Sequence, residues 1–146
     1  MKKYLSFALA AALSAAFCAT AFAAEDNRQV KVETHIAPTY NVTIPANTKV
    51  ISKAEDTPFG AITLTDAQLD PGKSVNVTLK SSGTLKNDTS KMLAYTIRSG
   101  ESAFTSASYT KAGESTALTI HIAKDDWAKA YAGDYADTVE FTISYK

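Results

Sequence analysis

Gly133-Asp-Tyr-Ala-Asp-Thr-Val-Glu-Phe-Thr-Ile-Ser-Tyr-Lys146 alternates without a break. Val139, Phe141, Ile143 and Tyr145 fall on one phase. Thr138, Glu140, Thr142, Ser144 and Lys146 fall on the other. Side chains of a strand point alternately to its two faces, so period 2 over this length predicts a closing β-strand with one buried face and one wet face.

The same pattern recurs upstream. Val30, Val32 and Ile36 share one phase of an arm from Arg28 to Ile36, which Pro38 interrupts. Tyr40, Val42 and Ile44 predict a short strand that ends at Pro45, and Lys49 to Ser52 is a weaker run. Phe59 to Thr65 carries Ile62 and Leu64. Asp70-Pro71-Gly72 predicts a turn, because proline presets φ and glycine accepts the positive φ that follows. Ser74 to Lys80 alternates Val75, Val77 and Leu79 with polar residues, and the small, polar stretch Ser81 to Ser90 reads as a loop. Leu93, Tyr95 and Ile97 mark one further strand, closed by Ser99-Gly100. Phe104 to Tyr109 has no decisive period. After the turn at Ala112-Gly113-Glu114, Ser115 to Ala123 places Leu118, Ile120 and Ile122 inward. Only Lys124 to Ala132 has helical spacing, with Trp127 and Tyr131 four apart. Seven to nine short strands, one helical turn before the last of them and no βαβ alternation predict an all-β, antiparallel, Ig-like sandwich.

The opposite end speaks to compartment. Met1-Lys2-Lys3 is a short basic head, Leu5 to Ala19 is apolar and uncharged, and Ala21-Phe22-Ala23 fits a signal-peptidase site. Residues 1–23 therefore read as a bacterial-style signal peptide and 24–146 as one exported domain, secreted or held at the cell surface. The apolar run is short for a membrane span. Cys18 is the only cysteine and would leave with the signal; Phe17 stands before it, where lipidation requires a small residue. No disulfide framework, thiol chemistry or Cys-ligated metal is then expected. The chain carries 15 basic and 15 acidic residues. Losing Lys2 and Lys3 leaves a slight acidic excess, which argues against nucleic acid as a partner.

Residues that could carry chemistry are sparse. No serine lies in a nucleophile elbow, and no Asp–His–Ser order resembles a triad. His35 and His121 sit on polar strand phases, as solvated surface residues do. Asp125, Asp126, Asp134 and Asp137 are close enough in sequence to be Ca²⁺ candidates, but their spacing does not fit an EF-hand. Asp125 and Asp126 equally suit the first turn of a helix. Trp127, Tyr131 and Tyr135 are candidates for an aromatic platform that binds a surface glycan or small ligand, or else for a plug at the end of the sandwich. No cofactor is implied. Asn41, Asn76 and Asn87 head glycosylation sequons, which matter only in a host that uses them.

Thr39-Tyr-Asn-Val-Thr-Ile-Pro45 and the segment Ala132 to Tyr145 resemble secreted bacterial Ig-like β-sandwich proteins, including the spore coat U family. The closing segment is also similar to the end of chaperone–usher fimbrial subunits, with Gly133 at its head and a penultimate tyrosine, Tyr145. Val30-Lys-Val-Glu-Thr-His-Ile36 resembles the arm that such subunits donate to a neighbour. The likeness covers about a quarter of the exported chain; the chain differs in having no disulfide, and its arm runs almost directly into Tyr40. The resemblance implies a non-catalytic surface or adhesive protein whose partners are other subunits or copies of itself. Val30, Val32, Ile36, Gly133 and Tyr145 would be the residues of strand assembly. The arm then either folds back onto its own domain or is donated in trans. A sandwich lacking an edge strand beside its C-terminal strand would favour assembly, and a complete one with an open aromatic groove would favour ligand binding.

Overall fold

The computed structural model describes residues 29–146, so the expected signal peptide lies outside the described residues. The chain divides into two units at Thr34/His35. Of the first unit, residues 29–34 are described; they form no strand, and Lys31 pairs with Glu33 two residues on. The second unit is an all-β, antiparallel fold in which two sheets share one core, as the alternation predicts.

Its strands, in chain order, are β1 (Thr39–Thr43), β2 (Asp56–Gln68), β3 (Val75–Lys80), β4 (Thr84–Lys86), β5 (Met92–Ala94), β6 (Thr96–Ser99), β7 (Ser102–Ala103), β8 (Ser106–Tyr109), β9 (Ser115–His121) and β10 (Glu140–Tyr145); helix α1 (Lys124–Lys129) precedes the last. Five strands form one sheet in the order β1-β2-β9-β6-β7. Three form the other, β10-β3-β8, and β4-β5 is a separate hairpin. Inward residues of both main sheets meet in the core: Ile62 and Leu64 of β2, Ile97 of β6, Leu118 and Ile120 of β9, against Val75 and Val77 of β3 and Tyr109 of β8.

One side of the sandwich is closed by the chain itself. Phe104 N–H donates to Ile97 O (2.8 Å) in the large sheet, and the next residue, Thr105, accepts from Leu79 N–H (2.8 Å) in the small one. The chain thus crosses between sheets within two residues and buries Phe104 as it does so. This explains why Phe104 to Tyr109 lacked a clear period: its two halves serve different sheets. Tyr109 Oη then donates to Thr116 Oγ1 across the core (2.7 Å).

Several local expectations are corrected. The run from Leu93 to Ile97 is not one strand; it changes partner at Tyr95, with β5 pairing β4 and β6 pairing β9. Ser81 to Ser90 is not wholly loop, since β4 lies within it. Its turn to β5 is held by Asn87 Oδ1, which accepts from Thr89 N–H (3.1 Å) and Lys91 N–H (2.8 Å). Lys49 to Ser52 forms no strand, and α1 stops at Lys129 rather than Ala132. The expected turn at Asp70 is present: Lys73 N–H donates to Asp70 O (3.0 Å), with Gly72 at φ +79°.

Candidate interaction seam

The opposite side of the sandwich is not closed. It is bounded by two edge strands, β1 in the large sheet and β10 in the small one, each with a single partner. β10 pairs with β3 residue for residue, Glu140 opposite Lys80 through Tyr145 opposite Val75. Among the described residues no strand lies beside its other edge, so alternate backbone N–H and C=O groups face outward, the arrangement that invites another strand. Burial follows this asymmetry. Val75 and Val77 are 0% exposed, while Ile143, paired with Val77 and on the same inward phase, is 39% exposed.

The two edges meet at one end only. Tyr40 of β1 stacks on Tyr145 of β10, ring centroids 5.9 Å apart. Tyr145 Oη also accepts from Asp70 N–H and donates to Asp70 Oδ2, both at 2.9 Å, which ties the closing strand to the turn before β3. At the other end the sheets part around a cleft of about 480 Å³. Ile97, Ile120, Phe59 and Phe141 line it, together with Ile44 to Thr48 and Val50 from the connection after β1. Phe59 and Phe141 stack across it at 6.2 Å.

A polar knot sits on the cleft wall. Tyr95 Oη donates to Asp137 Oδ2 (2.6 Å) and hydrogen-bonds Ser81 Oγ (2.7 Å), and Ser82 Oγ also donates to Asp137 Oδ2 (2.7 Å). Burial, then the Asp137 bond, push the Tyr95 hydroxyl up to about 12. Burial tends to raise the Asp137 carboxyl, but donation from Tyr95, Ser82 and the Thr138 backbone, with the Lys86 charge, outweighs it and holds the group below the ordinary range. This knot, with the bridge between Lys86 and Ala136, pins the chain that leads into β10.

The candidates from the sequence fare unequally. Val30 and Val32 are 84% and 92% exposed, Ile36 is exposed, and residues 29–38 lie in no strand. The strand expected over Arg28 to Ile36 is therefore absent from 29–36; an isolated alternating run has no ladder partner to hold it extended. Tyr145 is in the seam. Gly133 is not at the head of the closing strand, which begins only at Glu140; it belongs to the irregular lead-in, with φ +147° and its face against the Asn87 side chain. His121 Nδ1 lies 2.9 Å from Asp56 Oδ1, directly across the β2–β9 ladder, and His35 is exposed outside any strand.

The aromatic trio does not form one platform. Trp127 Nε1 donates to Ala54 O (2.7 Å) and its ring packs on the core, as a plug does. Trp127 and Tyr135 line a second cavity of about 470 Å³, whereas Tyr131 does not; it is 64% exposed under Lys91 Nζ, 4.7 Å from the ring centroid. Nor are Asp125, Asp126, Asp134 and Asp137 gathered: among the described residues no three such groups stand close enough to hold a metal ion. Asp125 and Asp126 lie in the first turn of α1, and Asp137 is engaged in the polar knot.

Sequence reasoning missed the cleft, Phe59, the Tyr95–Asp137 pair and the role of residues 44–50. One signal was available. A proline within a strand is tolerated at an edge or a bulge, and Pro58 lies at the bulge of β2, in the half that β1 leaves unpaired.

Among the described residues no helix is long and apolar enough to cross a membrane. Comparison with family models, with curated proteins and with solved structures finds no match to this chain.

Proposed function

We propose that this protein is an exported, non-catalytic surface subunit that works by protein–protein contact, its open seam accepting an extended strand from another copy. The observation that carries this reading is the edge of β10, which has no strand beside it among the described residues and adjoins a cleft walled in part by Phe59, Ile97, Ile120 and Phe141. An open edge beside half-exposed Ile143 is a liability in an isolated molecule, and covering it is favourable in both hydrogen bonding and burial. A strand added there would lie about 4.8 Å from β10 and direct every second side chain toward the cleft.

The arm of the same chain has the matching chemistry. Val30, Val32 and Ile36 are apolar, exposed and on one phase, with Lys31, Glu33 and His35 on the other. Donation would bury the first set and leave the second in water. The exported chain from Ala24 is to be compared with a version lacking Glu25 to Ile36, by light scattering and on unheated SDS gels. Slowly dissociating ladders from the longer protein and none from the shorter are expected. Ladders of equal strength from both, or a monomer from both, would overturn the reading. Intact mass of the exported protein checks the compartment, with a start at Ala24 expected.

A further inference from the structure

We infer that residues 44–52 are a strap that lies along β2, across the cleft from the accepting edge of β10, and must lift for the side chains of a donated strand to enter that cleft; this rests on the assembly reading. β1 covers only the C-terminal half of β2, from Thr63 to Gln68. The N-terminal half has β9 on one side and, among the described residues, no strand on the other. The strap runs there antiparallel to β2. Pro45 touches Gly60, Thr48 Oγ1 donates to Phe59 O (3.3 Å), and Ile51 N–H donates to Thr57 Oγ1 (3.0 Å).

This is not strand pairing. From Pro45 to Ile51 the strap advances past β2 only from Gly60 to Thr57, whereas paired strands advance one residue for one. The surplus chain bulges outward, and no direct backbone–backbone hydrogen bond joins the strap to β2. No residue from Ile44 to Ser52 is buried; Ile44 and Ile51 are exposed, and Val50 lines two cavities. The ends are better held, by β1 pairing at Thr43 and by Trp127 on Ala54. A segment fixed at its ends and loosely held between them can swing without unfolding the sandwich. The device would slow assembly and also lower its equilibrium constant, because the strap contacts belong to the free subunit and are given up on assembly.

The test uses monomer of the exported chain, refolded and isolated by gel filtration, and its Thr48→Val variant, which loses the hydroxyl bonded to Phe59 O and Ala46 O (3.1 Å). Ladder formation should be about fivefold faster in the variant, the factor that one net hydrogen bond commands. Hydrogen exchange gives an independent readout: the Ile51 amide should lose protection on assembly as the strap lifts. Ladders with equal rates, or an Ile51 amide equally protected before and after, would overturn the strap while leaving strand donation intact. Absence of ladders from both proteins would overturn the assembly reading and the strap with it.

Discussion

The two sides of this sandwich are built from similar residues and end in different states. On one side the chain crosses from sheet to sheet at Phe104 and Thr105, bonding Ile97 and Leu79 in turn, and Phe104 is buried. On the other side β1 and β10 approach each other through Tyr40 and Tyr145 and then diverge around a cleft whose aromatic walls, Phe59 and Phe141, remain half-exposed. Hydrophobicity does not distinguish them. What differs is whether a backbone passes between the sheets, because only a backbone can satisfy the polar groups of both edges while its side chains fill the gap.

The largest effect should come from placing the same charge on the two members of one cross-strand pair. Val77→Asp puts a carboxylate where exposure is zero and should cost more than about 4 kcal/mol, enough to unfold a domain of ordinary stability. Ile143→Asp, directly opposite on the open edge, should cost about 1 kcal/mol or less as a monomer and abolish ladders, since water already reaches that site. Urea unfolding of the two variants decides it; equal losses would mean that the open edge is no different from the core.

Truncating one aromatic on each side sharpens the contrast. Phe104→Ala should lose about 3–4 kcal/mol, and Phe141→Ala about half of that, because the cavity left on the open side is continuous with solvent. Thermal melts of monomers would show the difference as midpoint shifts of unequal size.

A third effect concerns the knot beside the cleft. Tyr95→Phe removes bonds to Asp137 and Ser81 and should cost about 1–2 kcal/mol. It should also change the alkaline limb. With the folded hydroxyl raised to about 12 from the ordinary tyrosine value of 10.0, the Tyr95 contribution is complete below pH 10 and lost as pH rises toward 12, where the unfolded state ionises first. The wild type should therefore lose more stability than the variant between these limits, as urea midpoints at pH 9 and 11.5 would reveal.

The smallest effect lies at the exposed turn before β9. Thr110 N–H (2.6 Å) and Lys111 N–H (3.1 Å) both donate to Glu114 Oε2, and these backbone donors hold its carboxyl below the ordinary range. Stability from this group is present above the ordinary carboxylate range and lost as pH falls through it. Glu114→Gln should flatten the acid limb slightly, being a little less stable than the wild type at neutral pH and converging with it in acid, when midpoints are compared from neutral to acidic buffers.

Much of the fold was legible in the chain. The alternation of Val75-Val77-Leu79 and of Leu118-Ile120-Ile122 identified both strands and their inward phases, because strand geometry imposes period 2 locally. The Asp70-Pro71-Gly72 turn was legible for the same reason: its backbone angles follow from the residues that occupy it. Tyr145, singled out by its place near the end of the chain, does lie in the seam. Other features needed the tertiary structure. Nothing local separates Leu93 from Ile97, yet they belong to different sheets, and alternation from Val139 to Tyr145 has the same form whether the strand has one neighbour or two. The arm alternates as well and forms no strand, since alternation states which face would be buried and not whether a partner is there to bury it. Sequence by itself determined the inward phases of strands such as β3 and β9 and the Asp70 turn, which are set by neighbours along the chain. Only the tertiary structure decided which edge is left open, because an edge is defined by a partner's absence in space, and no residue encodes that alone.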